Sequence, residues 1–222
     1  MKYTLNLIKE NKFYYTLVFI FLLCSSFFLI SYFKFNSSIS LINTFPFWKN
    51  VFFVNYTFFG DGFFSIALCG ILAYKKQYKL AICILFSFLS AGVFTQILKN
   101  IISIGSPKIY FEASQYLFKL DNFGNSGGGN ASFPSSHTSF AFSIATVLSV
   151  YFRKNLVSII LFFAALVVGY SRIYLADNSP IDIIIGSFIG ITFSTMSLVF
   201  LKNEIKFYIP KFNNNKLLKH TI

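Results

Sequence analysis

Apolar runs of about twenty residues recur along this chain, and their length constrains the fold more than any other feature, because a helix of that length spans the roughly 30 Å hydrocarbon core of a bilayer. The first covers about Tyr14 to Phe33, the second lies between about Val51 and Tyr74, and the third runs from Leu80 to Leu98. A fourth starts near Thr138 and ends at Arg153, a fifth covers roughly Leu156 to Tyr170, and a sixth runs from about Ile181 to Leu201. Backbone groups in lipid must pair within their own segment, so helices are expected even though β-branched and aromatic residues are common. The first run exceeds a usual signal h-region and further spans follow it, so it reads as a true span. The second is interrupted by Asn55, Asp61 and two glycines, which makes its outer part an expected interfacial helix. Composition excludes the soluble alternative: 55% of the 222 residues are hydrophobic and 12% charged, where a soluble domain carries about 25% charged residues.

The formal charge of +12 would point to nucleic acid in a soluble protein; here it reports orientation. Six crossings place Lys2, Lys9, Lys12, Lys75, Lys76, Lys79, Arg153, Lys154, Lys202, Lys206, Lys211, Lys216 and Lys219 on one side. Lys34, Lys49, Lys99, Lys108, Lys119 and Arg172 fall on the other. The positive-inside rule assigns the richer side, with both termini, to the cytoplasm. The expected architecture is therefore all-α: one membrane domain over residues 1–222, six transmembrane helices, a polar loop over about 99–136 and a basic tail over about 202–222. Cys24, Cys69 and Cys83 lie in apolar runs without disulfide or zinc spacing and read as packing residues.

This orientation gathers Lys99, His137, Arg172, Asp177 and Asp182 at the non-cytoplasmic end. Lys and Arg can hold phosphate, Arg through its fork of donors. Pro134-Ser135-Ser136-His137 precedes a helix, whose free N–H groups and dipole favour an anion. The alternative is that each group only anchors a helix end among headgroups.

Three segments carry a resemblance. Lys99 is followed by six residues and Ser106-Pro107; then comes Pro134-Ser135-Ser136-His137; then Ser171-Arg172, five residues, Asn178, three residues and Asp182. Their order and spacing resemble the tripartite pattern of the type 2 phosphatidic acid phosphatase superfamily. That pattern reads Lys, six residues, Arg-Pro; Pro-Ser-Gly-His; and Ser-Arg, five residues, His, three residues, Asp. The resemblance implies a six-helix membrane enzyme that removes phosphate from lipid phosphates or pyrophosphates without a metal or other cofactor. It implies that Lys99, Ser135, Arg172 and the amides near Ser136 hold phosphoryl oxygens, and that His137 protonates the leaving alkoxide. In the family the third-segment histidine attacks phosphorus, and the aspartate four residues on, here Asp182, orients it.

The departures are specific. Asn178 stands where the nucleophilic histidine belongs, and the other histidine, His220, is in the tail. Ser106 replaces a phosphate-binding arginine, with Lys108 a nearby substitute, and Ser136 replaces a glycine. Three explanations stand open: an engineered substrate trap, a relative that binds without hydrolysis, or an enzyme using Asp177, Asp182 or His137 in an altered role. The expected partners are the bilayer and a phosphorylated lipid, not nucleic acid; composition points to a bacterial inner membrane with the site facing the periplasm. The resemblance leaves lipid A foremost, with undecaprenyl pyrophosphate and phosphatidylglycerol phosphate as rivals; a non-catalytic binder and, last, a small transporter are the other classes. Asp61 reads as a helix cap in preference to a pocket residue, and Gly127 to Gly129 as a flap or spacer. Phe133, Phe140 and Phe142 read as lipid contacts.

Overall fold

A computed structural model describes residues 2–34, 47–105 and 131–204, with backbone alone for 2–5, 30–34, 47 and 202–204. Ser106, Lys108, the Gly127–Gly129 run and His220 lie outside the described residues. Helices follow one another as α1 (Lys2–Glu10), α2 (Lys12–Lys34), α3 (Phe47–Tyr56), a 3₁₀ turn (Thr57–Gly60), α4 (Gly62–Tyr74), α5 (Tyr78–Ile102), α6 (Ser136–Phe152), α7 (Asn155–Tyr174) and α8 (Pro180–Glu204). Among the described residues, four helices (α2, α5, α7 and α8) are long and apolar enough to cross a membrane. The count rises to five if α3 and α4, which meet at a 59° bend beside Asp61, form one broken span. The sequence expectation of six is thus met in part, because the fourth apolar run makes a helix of 17 residues, shorter than the roughly 20 of a full span.

That short helix, α6, is the hub of the bundle. It packs against α5, α7 and α8, and its buried residues include Thr138, Ser139, Ala141, Ser143, Ala145, Thr146 and Ser149. Lipid tails are as apolar as leucine, so small side chains that let backbones approach are what hold membrane helices together. Glycines on the partner helices complete the fit. A methyl group at Gly186 of α8 would sit 2.5 Å from the Ser135 carbonyl oxygen, and one at Gly60 would sit 2.7 Å from that of His137. Gly190 meets the Ser139 carbonyl more tightly still. Hydroxyl pairs add direction: Tyr14 Oη lies 2.8 Å from Thr146 Oγ1, and Tyr15 Oη lies 3.0 Å from Thr195 Oγ1. These tie α2 to α6 and α8.

Two aromatic and cysteine expectations change. Phe142 is fully buried between the rings of Phe21 and Phe162, at 5.8 and 6.0 Å between centroids, and Phe140 packs edge-on to Phe88. Neither is primarily a lipid contact, because both lie on faces that the hub helix turns to its neighbours. Cys69 and Cys83 are buried as expected, whereas Cys24 is exposed on α2. That helix also exposes Phe19, Leu23 and Phe27, the pattern of a helix with one packed face and one facing lipid.

Candidate active site

Every described residue of the three motifs lies at one end of the bundle, and helix ends place them there. Lys99 is in the last turn of α5, which Ser103 closes in the left-handed conformation, its N–H donating to the Lys99 carbonyl at 3.0 Å. Ser135 caps the start of α6. Its Oγ accepts from Thr138 N at 3.4 Å and from Thr138 Oγ1 at 2.9 Å, satisfying one of the orphan donors of the first turn. Ser136 and His137 follow on that turn, half-buried.

Arg172 was expected between two spans; instead α7 continues to Tyr174, so Arg172 sits in its last turn. The chain then reverses through Ala176 at φ 55°. Asp177 N donates to the Arg172 carbonyl at 3.1 Å, the six-to-one bond of a helix-ending reversal, and Asn178 N donates to the same oxygen at 3.2 Å. This closure brings Asn178 back over Arg172. The next helix begins with Ser179-Pro180-Ile181-Asp182, a capping box with proline at the first helical position. The Asp182 carboxylate accepts from Ser179 N and Ser179 Oγ, both at 2.8 Å.

Asn178 is the centre of the constellation. Its Oδ1 accepts from Arg172 Nε at 3.2 Å and from Ser135 Oγ at 3.4 Å. Its Nδ2 donates to the Ser132 carbonyl at 2.8 Å and reaches Asp182 Oδ2 at 3.4 Å. The amide thus joins two of the expected phosphate holders to the expected orienting carboxylate, and it is buried with Arg172, Ser135 and Asp182. The backbone reinforces the join, with Ser135 N donating to the Asp182 carbonyl at 3.1 Å.

The remaining charges surround that hub. Arg172 pairs with Asp177 at 3.1 Å and reaches Thr57 Oγ1 at 3.5 Å. His137 interacts electrostatically with Arg172 and Lys99, and Lys99 with Arg172 and Asp182. Neither the His137 ring nor the Lys99 ammonium has a hydrogen-bond or ion-pair partner among the described residues. The Asp61 carboxylate makes no capping bond to α4 and instead lies in the field of Arg172. This corrects the cap reading: the backbone at Asp61 starts the helix, and the carboxylate does not bond to it.

Sequence reasoning missed Thr57, Ser132 and Ser179. The Ser-Pro-x-Asp signature would have found Ser179. Thr57 carries no local signal, since a 3₁₀ turn at a broken helix brings it to Arg172 from more than a hundred residues away. Ser132 works through its carbonyl, and it is held by a pairing between the two ends of the intervening loop: its N–H donates to the Ile104 carbonyl at 2.7 Å, beside an antiparallel bridge of Gly105 with Ala131.

Among the described residues the bundle is all-helical with membrane-length apolar helices, and cationic, hydroxyl and helix-terminal donors converge at one end, a chemistry suited to an anionic group. The PAP2 superfamily model matches residues 80–206, and the chain belongs to that superfamily. Over 63 residues it is 38% identical to the lipid A 4'-phosphatase of Bacteroides thetaiotaomicron, a stretch that spans 28% of this chain and 28% of that protein. The crystal structure of Aquifex aeolicus LpxE superposes with a TM-score of 0.55 at 27% identity, covering 70% of this chain and 88% of that one. The first transmembrane PAP2 type phosphatidylglycerolphosphate phosphatase from Bacillus subtilis superposes with a TM-score of 0.57, covering 76% and 82%. At 23% identity that second likeness speaks for the fold alone.

Proposed function

We propose that this chain binds the phosphate group of an amphiphilic lipid in a phosphatase pocket whose covalent step is closed at residue 178. The lipid A headgroup is the foremost substrate class, with undecaprenyl pyrophosphate and phosphatidylglycerol phosphate behind it. The observation that carries this reading is the convergence of Arg172 Nε and Ser135 Oγ on one oxygen, that of the Asn178 amide. Two donors aimed at a single acceptor are what a phosphoryl oxygen requires, and the half-buried Lys99 and His137 stand ready beside them.

In this reading Lys99, Arg172, Ser135 and the amides of Ser136 and His137 hold the phosphoryl oxygens, and His137 faces the leaving oxygen. An imidazole at residue 178 would form the N–P bond while the P–O bond to the lipid breaks. The departing alkoxide would take its proton from His137, and water would then cleave the N–P bond. The Asn178 amide nitrogen has a delocalised lone pair and cannot take that role. Asp177 and Asp182 are engaged by Arg172 and Ser179, which leaves the unpartnered His137 ring as the group favouring a second reading, hydrolysis by an altered route.

The topology proposed with it has six crossings, α3 and α4 together making one and α6 another, and both termini in the cytoplasm of a bacterial inner membrane. The site then faces the periplasm. Labelling of a cysteine placed at Asn100, but not one at Lys154, by an impermeant thiol reagent in spheroplasts is expected, and the reverse pattern would overturn it. The functional reading is tested by retention of lipid A, undecaprenyl pyrophosphate and phosphatidylglycerol phosphate against their dephosphorylated forms in detergent. Preference for the phosphorylated form of one of them is expected; equal retention of both forms across the panel counts against the phosphate pocket.

A further inference from the structure

At the opposite end of α6 from the motif cluster, a cleft of about 350 Å³ opens where α1 meets α2 and where α7 begins. A helix of 17 residues separates the two ends by about 25 Å at 1.5 Å per residue, so this cleft is no part of the catalytic pocket. Its rim carries Lys9, Lys12 and Arg153 against one acid, Glu10. Glu10 is taken by Arg153 at 2.6 Å, so the two lysines face the cleft without an acidic partner among the described residues. The floor is polar as well. Ser158, 4% exposed, lines it with no side-chain hydrogen bond among the described residues, and buried Asn11 lines it alongside. Asn155, the first residue of α7, lies at the same cleft, so the positive end of that helix adds to the field.

We propose that this cleft seats the phosphate-bearing headgroup of an anionic phospholipid from the leaflet at that end of the bundle. The two unmatched lysines supply charge, and the Ser158 hydroxyl supplies a buried donor. The surface beside the cleft selects a lipid over a free anion: on α2 Phe13 lines the cleft, and Ile20, about two turns on along the same face, is 52% exposed. These side chains continue from the cleft along the exposed face of α2, where an acyl chain would lie. The site is a regulatory or anchoring subsite distinct from the reacting pocket, and it stands whether or not the pocket reading holds.

The test is native mass spectrometry of the full chain carrying Arg172→Ala, which disables the distal phosphate pocket, titrated with phosphatidylglycerol, phosphatidylcholine or inorganic phosphate. Phosphatidylglycerol is expected to bind at least tenfold more tightly than phosphatidylcholine, a preference that salt weakens. Lys9→Gln with Lys12→Gln should abolish that preference, and Lys9→Arg with Lys12→Arg should keep it. Ser158→Ala should weaken phosphatidylglycerol binding severalfold. An unchanged preference in the glutamine pair would overturn the site. Inorganic phosphate binding as tightly as phosphatidylglycerol would overturn its assignment to a lipid.

Discussion

Arg172 illustrates how one side chain serves three partners. Its Nε points to the Asn178 oxygen, one terminal nitrogen to Thr57, and the other to Asp177. A guanidinium held this way is pre-aimed, so little ordering remains to be done when an anion displaces the amide oxygen. Removing a charge-assisted donor of this kind costs about 1.5–3 kcal/mol. Arg172→Ala is therefore expected to weaken retention of the phosphorylated lipid by roughly 10- to 150-fold while leaving the dephosphorylated lipid unaffected. Equal losses for both forms would remove Arg172 from the phosphate site. The sequence made Arg172, Ser135 and Asp182 legible because they sit in ordered motifs at span ends. It did not make legible that Asn178 binds all three, since that depends on side-chain directions after a chain reversal. Nor did it reveal that Asp182 also serves as the capping-box acid of α8, although Ser179-Pro180 states as much locally.

At the scale of elements, the site depends on how closely α8 and the 3₁₀ turn approach the first turn of α6. The fit at Gly186 leaves no room for a methyl group, which would meet the Ser135 carbonyl at 2.5 Å. Gly186→Ala forces the two helices apart and is expected to destabilise the bundle by about 1–3 kcal/mol, measured as a lower thermal midpoint in detergent with a parallel loss of lipid retention. Gly70→Ala on α4 is the control, because nothing lies within 4 Å of its added methyl, and it should hold or raise the midpoint. A Gly186→Ala protein as stable as its parent would show that α6 and α8 are not in this contact. Apolar runs predicted the helices well, with ends shifted by a few residues where polar side chains still find partners: α7 runs four residues past Tyr170 because Arg172 and Tyr174 are held from outside, the latter by Asn50. The helix α1 was not foreseen. It is short and half polar, and among its described side chains Leu7 is the buried one, in a cluster with distant residues such as Leu80 and Leu198.

For the whole molecule, charge and hydropathy are arranged around a single short helix that carries the motif turn at one end and a basic cleft at the other. Of the first motif, Lys99 lies within the described segments, and Ser106 and Lys108 lie outside them. The proposal at stake is that residue 178 is the nucleophile's seat in a pocket that keeps Lys99, Ser135, His137, Arg172 and Asp182 of the motif pattern. It is tested most directly by phosphate release from the lipid panel, comparing this chain with Asn178→His in the same detergent. Asn178→His is expected to release phosphate at roughly a hundredfold or more above the parent chain, on the lipid that the parent retains by its phosphate. Release by the parent at a comparable rate, or none from Asn178→His while it still holds the lipid, would contradict it.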